Sequence, residues 1–542
     1  MNAKLRKVLR GDKGEGLELI FTVLLDDKHF ADARVALDEL TKSFDNPAAL
    51  SYHRAALAAR SGDRATAVKE LNAYFDARET SRGYAPYELL RDVLKSDDRA
   101  AELIPLLEKR RADQPDDASL NYALAEEYRR AGEHAKAIPA YEATLEKQSS
   151  REAYRGLVES LIAMKQNDNL IQLLGTIVEK SGSLEALEKA MSSDDATGDK
   201  SDDKKDASLI DDALRRTLVT TILKRYDGKD AAHAPVLRAA GALAVEAERW
   251  NDARTAYDRA IAAKPTDKAE ILLRLGVQLL IGEQTAAAVE VFQRGVDERV
   301  MPDSNPVFYY YLAGALAYAD RHDDALKAAR QAAEKQPKNP RFAVRVPWIE
   351  NHAKHYDAAR DGYLALLKKH EADFDRDDVR EVMRESRLLL SNIAVLQKDF
   401  PTAEEHLECV LDEFPDDVGA MNDLGYLWID QNKHLDRGLR MIEIAIRSEP
   451  ENQAYLDSLG WALYRHGRYP EALAAQLKAA APRKNRETDG VVLDHLADIY
   501  AALDRRDEEL ATRRRAIQAL EKSDEQGKIE DVRKKLKLKE NG

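Results

Sequence analysis

The chain of 542 residues is highly charged (34%), and 84 Lys and Arg against 98 Asp and Glu leave a net charge of −14. Because non-specific nucleic-acid binding depends on clustered positive charge, this balance argues against nucleic acid as a partner. The single cysteine, Cys409, excludes an internal disulfide framework, and we expect it to be a small buried hydrophobic residue. The sequence has no run of about twenty apolar residues, so no transmembrane segment is predicted.

The N-terminal part of the chain has the periodicity of paired helices. The composition is rich in Ala, Leu, Glu, Lys and Arg, which are strong helix formers. Small residues recur where two helices would have to approach closely, and a large residue follows where the gap beside them would have to be filled. The pattern is clearest from residue 118 onward. Ala125 and Ala137 occupy the positions of close approach, Tyr141 occupies the position of the large residue, and Tyr128 and Gly132 occupy further recurring positions between them.

The periodicity stops between residues 181 and 208. The stretch SSDDATGDKSDDKKDAS is charged and almost free of apolar residues, so burial cannot offset the entropy of ordering it. We expect a flexible acidic linker between an N-terminal block, 1–180, and a C-terminal block, 209–522, which a polar capping helix at 523–542 would close. An acidic docking segment is the alternative interpretation of the same charges.

The pattern of paired helices resumes in the C-terminal block. In one of its most regular units, Gly241 and Ala253 occupy the positions where the two helices would approach closely, and Tyr257 occupies the position where a large residue would fill the gap. One unit is irregular, because Pro347 falls inside its first helix, where a proline removes a hydrogen bond and kinks the helix. We therefore expect an irregular helix or a bend at that point.

The stretch from Asp416 to Ala480 contains two copies of one unit. When the copies are aligned, Gly425 falls on Gly460, 35 residues later. A self-similar unit of this length with two helical patterns resembles the tetratricopeptide repeat (TPR) family. The resemblance implies an all-α fold, a right-handed TPR α-solenoid of about eleven to thirteen antiparallel helix pairs.

The segment from Met421 to Leu520 resembles a narrower group of proteins. Its Asn-x-Leu-Gly-Tyr and Asp-Ser-x-Gly-Trp-x-x-Tyr-Arg-x-Gly elements are similar to those of long bacterial TPR proteins, among them envelope lipoproteins that deliver substrates to a periplasmic processing protease. The lipobox cysteine of such lipoproteins is absent. We expect a cytoplasmic protein if the chain is complete, and a periplasmic or envelope protein if an N-terminal export signal has been removed.

In the TPR family the first helix of each pair lines a concave face that binds partners. The resemblance implies a groove in which rigid aromatic residues lie beside hydrogen-bonding groups, a combination suited to peptide recognition. The alternative is that Trp461 and Tyr464 pack between repeats and that Asp457 braces a helix. The candidate partner-binding residues are Tyr122, Glu126, Arg129, Arg130, Tyr310, Tyr318, Asn422, Tyr426, Asp430, Asp457, Trp461, Tyr464, Arg465, Asp494 and Asp498.

The sequence has no catalytic, cofactor-binding or metal-binding signature. His352 and His355 could share a helical face, but without a third ligand nearby in sequence a surface pair is the favoured interpretation. We therefore predict a non-catalytic scaffold or adaptor that binds protein or peptide partners and needs no cofactor. The alternatives are a structural component that self-assembles into homo-oligomers, and a regulatory subunit that activates an enzyme such as a processing protease.

Overall fold

The structure is a computed structural model that describes residues 15–42, 50–77, 83–181, 209–373, 375–482, 488–522 and 526–540. Within these ranges every regular element is a helix, which confirms the all-α fold class. The predicted linker at 181–208 lies outside the described residues, apart from Ser181 at the end of a helix. None of the helices in the described ranges is both long and apolar enough to cross a bilayer.

The chain divides into two compact units, Met1–Gln278 and Leu279–Gly542. Within the described ranges, consecutive helices of each unit are joined by short turns. The helices of the first unit are α1 (Glu15–Asp26), α2 (Phe30–Thr41), α3 (Ser51–Arg60), α4 (Arg64–Asp76), α5 (Ala85–Ser96), α6 (Leu103–Asp113), α7 (Ala118–Arg130), α8 (His134–Lys147), α9 (Arg151–Ala163), α10 (Asn167–Ser181), α11 (Asp212–Arg225), α12 (Ala234–Glu246) and α13 (Trp250–Ala263), followed by α14 (Lys268–Ile281), which contains the boundary.

The first unit is a stack of helix pairs whose interiors contain the predicted small residues. Ala125 on α7 and Ala137 on α8 have no exposed surface, and the ring of Tyr141 fills the space beside them. In the pair α12–α13, a Cβ atom added to Gly241 would lie 2.6 Å from the ring of Tyr257. Since real Cβ atoms do not approach other atoms so closely, only glycine allows this packing without a shift of the ring. The sequence pattern therefore identified these contacts correctly.

The second unit repeats the arrangement and adds a helix at its end. Its helices are α15 (Thr285–Asp297), α16 (Val307–Tyr318), α17 (His322–Lys335), α18 (Pro340–Ala343), α19 (Arg345–His352), α20 (Tyr356–Lys369), α21 (Asp377–Leu396), α22 (Phe400–Glu413), α23 (Val418–Asp430), α24 (Leu435–Ser448), α25 (Gln453–Arg465), α26 (Tyr469–Ala479), α27 (Gly490–Ala502), α28 (Arg506–Lys522) and α29 (Gln526–Glu540). In the pair α23–α24 the two backbones approach closely, because a Cβ on either Gly425 or Gly438 would lie 2.8 Å from the backbone oxygen of the other glycine.

The turn inside most helix pairs contains one residue with left-handed backbone geometry. At one such turn Lys165 has φ 53°, and the amide of Gln166 then donates to the carbonyl of Leu161, 2.9 Å away. This bond satisfies a carbonyl that the helix end would otherwise leave unpaired. Positions of the same kind are Lys28, Gly62, Asp98, Gly132 and Glu248 in the first unit, and Glu283, Asp320, Lys354, Lys398, Asn432, Gly467 and Asp504 in the second.

Two features depart from the regular pattern. The first helix of the unit around Pro347 is split into α18 and α19, and because α19 begins at Arg345, the proline lies in its first turn, where no amide donor is needed. The expected irregularity is therefore present as a break between two short helices. Cys409 was expected to be buried, but it is only half-buried, because its position on α22 lies at the edge of the core-facing stripe.

Candidate functional site

The predicted partner-binding residues lie on the first helices of five pairs. Four are on α7, two on α16, three on α23, four on α25 and two on α27. The α7 residues belong to the first compact unit and the others to the second. The structure groups them into local clusters, and many of their polar atoms already have partners within the chain.

On α7, Glu126 is the centre of a polar cluster. Only 5% of Glu126 is exposed; it accepts a hydrogen bond from the Tyr141 hydroxyl and a charge-assisted bond from Arg129 at 2.9 Å. Arg129 also donates to Glu159 on α9 at 2.7 Å, so the cluster joins successive helix pairs. Arg130 contacts Glu126 at 3.5 Å. These side chains connect α7 to its neighbours, and their polar atoms are largely occupied by that task.

Tyr122, also on α7, is half-buried and belongs to an aromatic contact. Its ring meets the Tyr84 ring edge to face, with centroids 5.0 Å apart. Burial raises the pKa of the Tyr122 hydroxyl above its usual range, and the nearby Glu126 carboxylate adds to that shift. The Tyr122 ring therefore presents an apolar face with a hydroxyl that stays neutral.

On α16, the two predicted tyrosines lie beside an arginine that the sequence pattern did not identify. The guanidinium of Arg345 lies 3.7 Å from the ring centroid of Tyr310 and 4.6 Å from that of Trp348. Tyr318 is 53% exposed, and its ring meets Trp348 edge to face at 5.7 Å. Burial lowers the pKa of Arg345, because the charged form loses solvent, although the surrounding tyrosines oppose the effect. The result is a cation held by aromatic faces.

Three of the predicted residues lie on α23. Asn422 is buried and donates to the carboxylate of Asp423 at 3.2 Å. Burial raises the pKa of the Tyr426 hydroxyl, and the carboxylates of Asp430 and Asp457 add to this shift. Of the three, Tyr426 is the residue that reaches the groove described below.

The aromatic residues on α25 form a stack with a histidine from the next pair. The Trp461 ring lies parallel to the rings of Tyr464, with centroids 5.0 Å apart, and of His495, with centroids 4.3 Å apart. The indole nitrogen of Trp461 donates to Asp430 at 3.2 Å, and Arg465 donates to the backbone oxygen of Asp430 at 3.0 Å. Trp461 and Tyr464 pack on the buried core between repeats, so the packing alternative describes their geometry.

Asp457 on α25 is braced from two sides. Its carboxylate accepts a hydrogen bond from the Gln476 side chain and another from His495 at 3.0 Å. Burial opposes the charged form of His495, but Asp457 and the nearby carboxylates of Asp494 and Asp498 outweigh it, so the pKa of His495 is raised. The imidazolium–carboxylate pair is favoured in the folded chain and fixes the direction of Asp457.

Asp494 and Asp498 on α27 are paired with cations of the same chain. Arg513 on α28, only 3% exposed, contacts Asp494 at 2.8 Å and Asp498 at 2.6 Å. Lys535 on the terminal helix α29 contacts the same two carboxylates at 2.7 and 2.8 Å. The carboxylates thus anchor α29, and a partner that used them would have to displace Lys535.

A groove of about 1340 Å³ lies in the second unit. It is lined by the first helices α21, α23, α25 and α27, by the turns before α25 and α27, and by α26, α28 and α29. Tyr426 and Asp457 are the members of the predicted set that line it. Four carboxylates and two lysines are among its lining residues, which gives the groove an acidic balance. The described lining residues are Asn392, Tyr426, Glu449–Ala454, Asp457, Ser458, Ala479, Thr488–Val492, Ala519, Lys522 and Lys528.

Sequence reasoning missed residues that complete these clusters. His495 is adjacent to the predicted Asp494, but it falls between the repeat positions that the family assigns to the concave face. Arg345 and Trp348 lie on the irregular helix α19, where the repeat register fails. Lys535 comes from the terminal helix. Of these residues, His495 alone could have been found by a search for a basic residue or histidine directly adjacent in sequence to a predicted acidic residue.

A stack of helix–turn–helix pairs with glycine and alanine at the close contacts is the architecture of a helical repeat protein. Three segments of the chain, 98–165, 238–300 and 430–487, match the model of the tetratricopeptide repeat. The chain therefore contains tetratricopeptide repeats, as the sequence predicted. Since repeats of this family bind proteins, it belongs to the general class of protein–protein interaction scaffolds.

Comparison with individual proteins gives the following likenesses. The TPR repeat-containing protein PA4667 of Pseudomonas aeruginosa is 29% identical over 161 residues, which cover 29% of this chain and 25% of that protein. The chain thus matches about a quarter of the length of this relative. Among solved structures, a tetratricopeptide repeat protein from Parabacteroides merdae has a TM-score of 0.37 and 14% identity, covering 50% of this chain and 99% of its own. Yeast Tom70 has a TM-score of 0.36 and 15% identity, covering 91% of this chain and 96% of its own.

Proposed function

We propose that the chain is a non-catalytic scaffold or adaptor that captures a segment of a partner protein in the groove of its second unit. The observation that carries this proposal is the groove itself, which has a volume of about 1340 Å³ and is lined by residues of successive repeats. Typical small-molecule pockets are about 300–1,000 Å³. Because the groove is larger than such pockets and extends along successive repeats, it suits an extended or helical segment better than a small ligand.

The lining favours a segment that carries Lys or Arg. Glu449, Glu451, Asp457 and Asp489 contribute carboxylates to the groove. Among them Asp457 is held in place by His495 and Gln476, so it does not have to be ordered when a partner binds. Tyr426 supplies an aromatic surface with a hydroxyl that stays neutral. A rigid aromatic residue beside oriented carboxylates would contact both the stem and the charge of a bound lysine or arginine.

The test begins with capture of partners by the immobilised chain from a lysate of its source, followed by identification by mass spectrometry. Binding of the identified partner is then measured with a Tyr426→Ala variant and an E449Q/E451Q double variant. We expect at least tenfold weaker binding for each. The matched control is E405Q/E408Q, which removes the same charge from exposed positions on the second helix α22 and should leave binding unchanged.

Three outcomes would contradict the proposal. Unchanged binding by both groove variants would place the contact elsewhere on the chain. Recovery of the chain alone, with a mass that rises with concentration in light scattering, would favour the self-assembling component. A captured protease whose activity rises on addition of the chain, and to the same extent with either groove variant, would favour the regulatory subunit.

A further inference from the structure

Three side chains with metal-binding atoms meet at the irregular pair of the second unit. His322 is the first residue of α17, Glu350 lies on α19, and His355 precedes α20. Nε2 of His322 lies 3.2 Å from Oε2 of Glu350, and Nδ1 of His355 lies 2.9 Å from the same oxygen. One ligand atom from each residue lies within 4.8 Å of the other two. Two imidazoles are therefore directed at a single carboxylate oxygen.

The donor set is one that zinc uses. Zn²⁺ takes imidazole nitrogen at about 2.0–2.1 Å and carboxylate oxygen at about 2.0–2.2 Å, in tetrahedral geometry. Those bond lengths place neighbouring donor atoms about 3.3 Å apart. The distances from Glu350 to His322 and His355 are already close to this value. A small movement of the two imidazoles would place all three donors around one ion.

The surroundings leave the three donors available to an ion. The side chains of His322, Glu350 and His355 are 28%, 15% and 56% exposed, so the cluster is shielded on one side and open on the other. Among the described residues, Glu350 forms ion pairs only with these two histidines and with no lysine or arginine. An ion would thus displace two hydrogen bonds rather than a fixed cation, and water could fill a fourth position.

We propose that His322, Glu350 and His355 form a zinc site that links two successive helix pairs. The site would join the start of α17 to the end of α19 and the turn between α19 and α20. Because the three ligands come from two repeats, bound zinc stabilises their contact in the folded state only. The site is separate from the groove, and the proposal does not depend on the function of the groove.

His352 provides the internal control. It was grouped with His355 by spacing, but its ring stacks on Trp348, with centroids 5.4 Å apart and an interplanar angle of 7°. His355 instead contacts His322, with ring centroids 4.8 Å apart. Removal of His352 therefore takes away a neighbouring imidazole without touching the proposed ligands.

The experiment is titration of the purified full-length chain with ZnCl₂ in a calorimeter, with Co²⁺ added in parallel and followed by its visible spectrum. We expect one strong equivalent of Zn²⁺ and the absorption of tetrahedral cobalt. H322A, H355A and E350Q should each weaken binding at least tenfold, while H352A should bind as the original chain does. Zn²⁺ should also raise the Tm of the original chain and leave that of E350Q unchanged.

Circular dichroism of each variant checks that the helices are retained. If H322A or H355A loses helicity, E350Q, which keeps the volume of the side chain, decides the result. The proposal is overturned if the original chain binds no Zn²⁺, or if E350Q and the folded histidine variants bind it as tightly as the original chain.

Discussion

Two arginines of the second unit are held in opposite ways. Arg345 on α19 lies between the rings of Tyr310 and Trp348, and no carboxylate lies within ion-pair distance of it among the described residues. Arg513 on α28 contacts the carboxylates of Asp494, Asp498 and Glu509 at 2.8, 2.6 and 3.2 Å. The repeat architecture therefore holds a guanidinium between helices with either aromatic faces or carboxylates as its surroundings.

The difference appears in the pKa values of the two groups. Burial disfavours the charge of both guanidinium groups, but the carboxylates around Arg513 outweigh it and raise the pKa, whereas burial dominates at Arg345 and lowers it. A buried charge with ionic partners is costly to remove, because its partners are left unpaired. A charge held by aromatic rings leaves no opposite charge behind, so its removal should cost less.

The largest effect is expected for Arg513→Met. The substitution leaves three carboxylates, including the 1% exposed Glu509, without their shared arginine, and should lower the stability of the C-terminal repeats by about 3–5 kcal/mol. Urea unfolding combined with hydrogen exchange of α27 and α28 measures it. Arg515→Met, an exposed neighbour on the same helix, should change stability by less than about 0.5 kcal/mol. Equal effects of the two variants would contradict the ionic role of Arg513.

Arg345→Met tests the other side of the comparison. The substitution keeps much of the side-chain volume and removes a cation–π contact, so we expect a loss of about 1 kcal/mol. Hydrogen exchange of α16 and α19 in urea reports the change, and fluorescence of Trp348 checks that the ring stays in place. A loss as large as that of Arg513→Met would show that aromatic surroundings hold this charge as firmly as carboxylates do.

The end of the second unit also contains a group whose charge depends on pH. The folded-state pKa of His495 is raised, so its stabilising contribution is complete below its unfolded pKa of about 6.5 and is lost as the pH rises through the folded value. The difference in free energy of unfolding between the original chain and a His495→Gln variant should therefore favour the original chain more strongly in mild acid than at alkaline pH. Paired urea titrations of the two proteins across that range measure the difference, and a gap that widened with rising pH would contradict the sign.

The smallest effect is expected for Lys535→Met on α29. Lys535 bridges Asp494 and Asp498, but its side chain is 40% exposed and Arg513 remains beside both carboxylates. We expect a loss of about 0.5–1 kcal/mol, seen as faster proteolysis and hydrogen exchange of α29. Lys534→Met is the matched control, since that side chain is 71% exposed and lies 3.5 Å from Asp531. If both lysine variants behaved alike, the contact of α29 with α27 would not depend on Lys535.

The regular part of the fold could be predicted from the sequence, because each repeat position has one steric requirement. Ala125 and Ala137 had to be small and Tyr141 had to be large, and the three are fully buried. The partners of the polar side chains could not be predicted in this way. His322 contacts Glu350 of the next helix pair, and Lys535 on the terminal helix contacts Asp494. Such pairs depend on side-chain length and direction, which the repeat pattern does not fix.

Whether the candidate groove residues bind a partner is a separate matter from where they lie. The family pattern placed Tyr426 and Asp457 on first helices, and both line the groove. The carboxylate of Asp457 is already hydrogen-bonded within the chain. The same holds for the polar atoms of Asp498 and Trp461, which the same pattern gave. A repeat register specifies which face a residue is on, but neighbouring side chains decide whether its hydrogen-bonding groups are already used.

The left-handed residues at the turns have a consequence for how the protein can evolve. Most of these positions are not glycine but residues such as Lys28, Glu248, Lys354 and Lys398. A non-glycine residue in this conformation costs roughly 1 kcal/mol, so the array carries a small conformational cost distributed over many turns. Each turn whose left-handed residue is not glycine is thus a site where a single change to glycine could raise stability without altering any surface that contacts another helix. Stabilising substitutions are therefore available at these turns, and they could compensate for destabilising substitutions acquired while a binding surface changes.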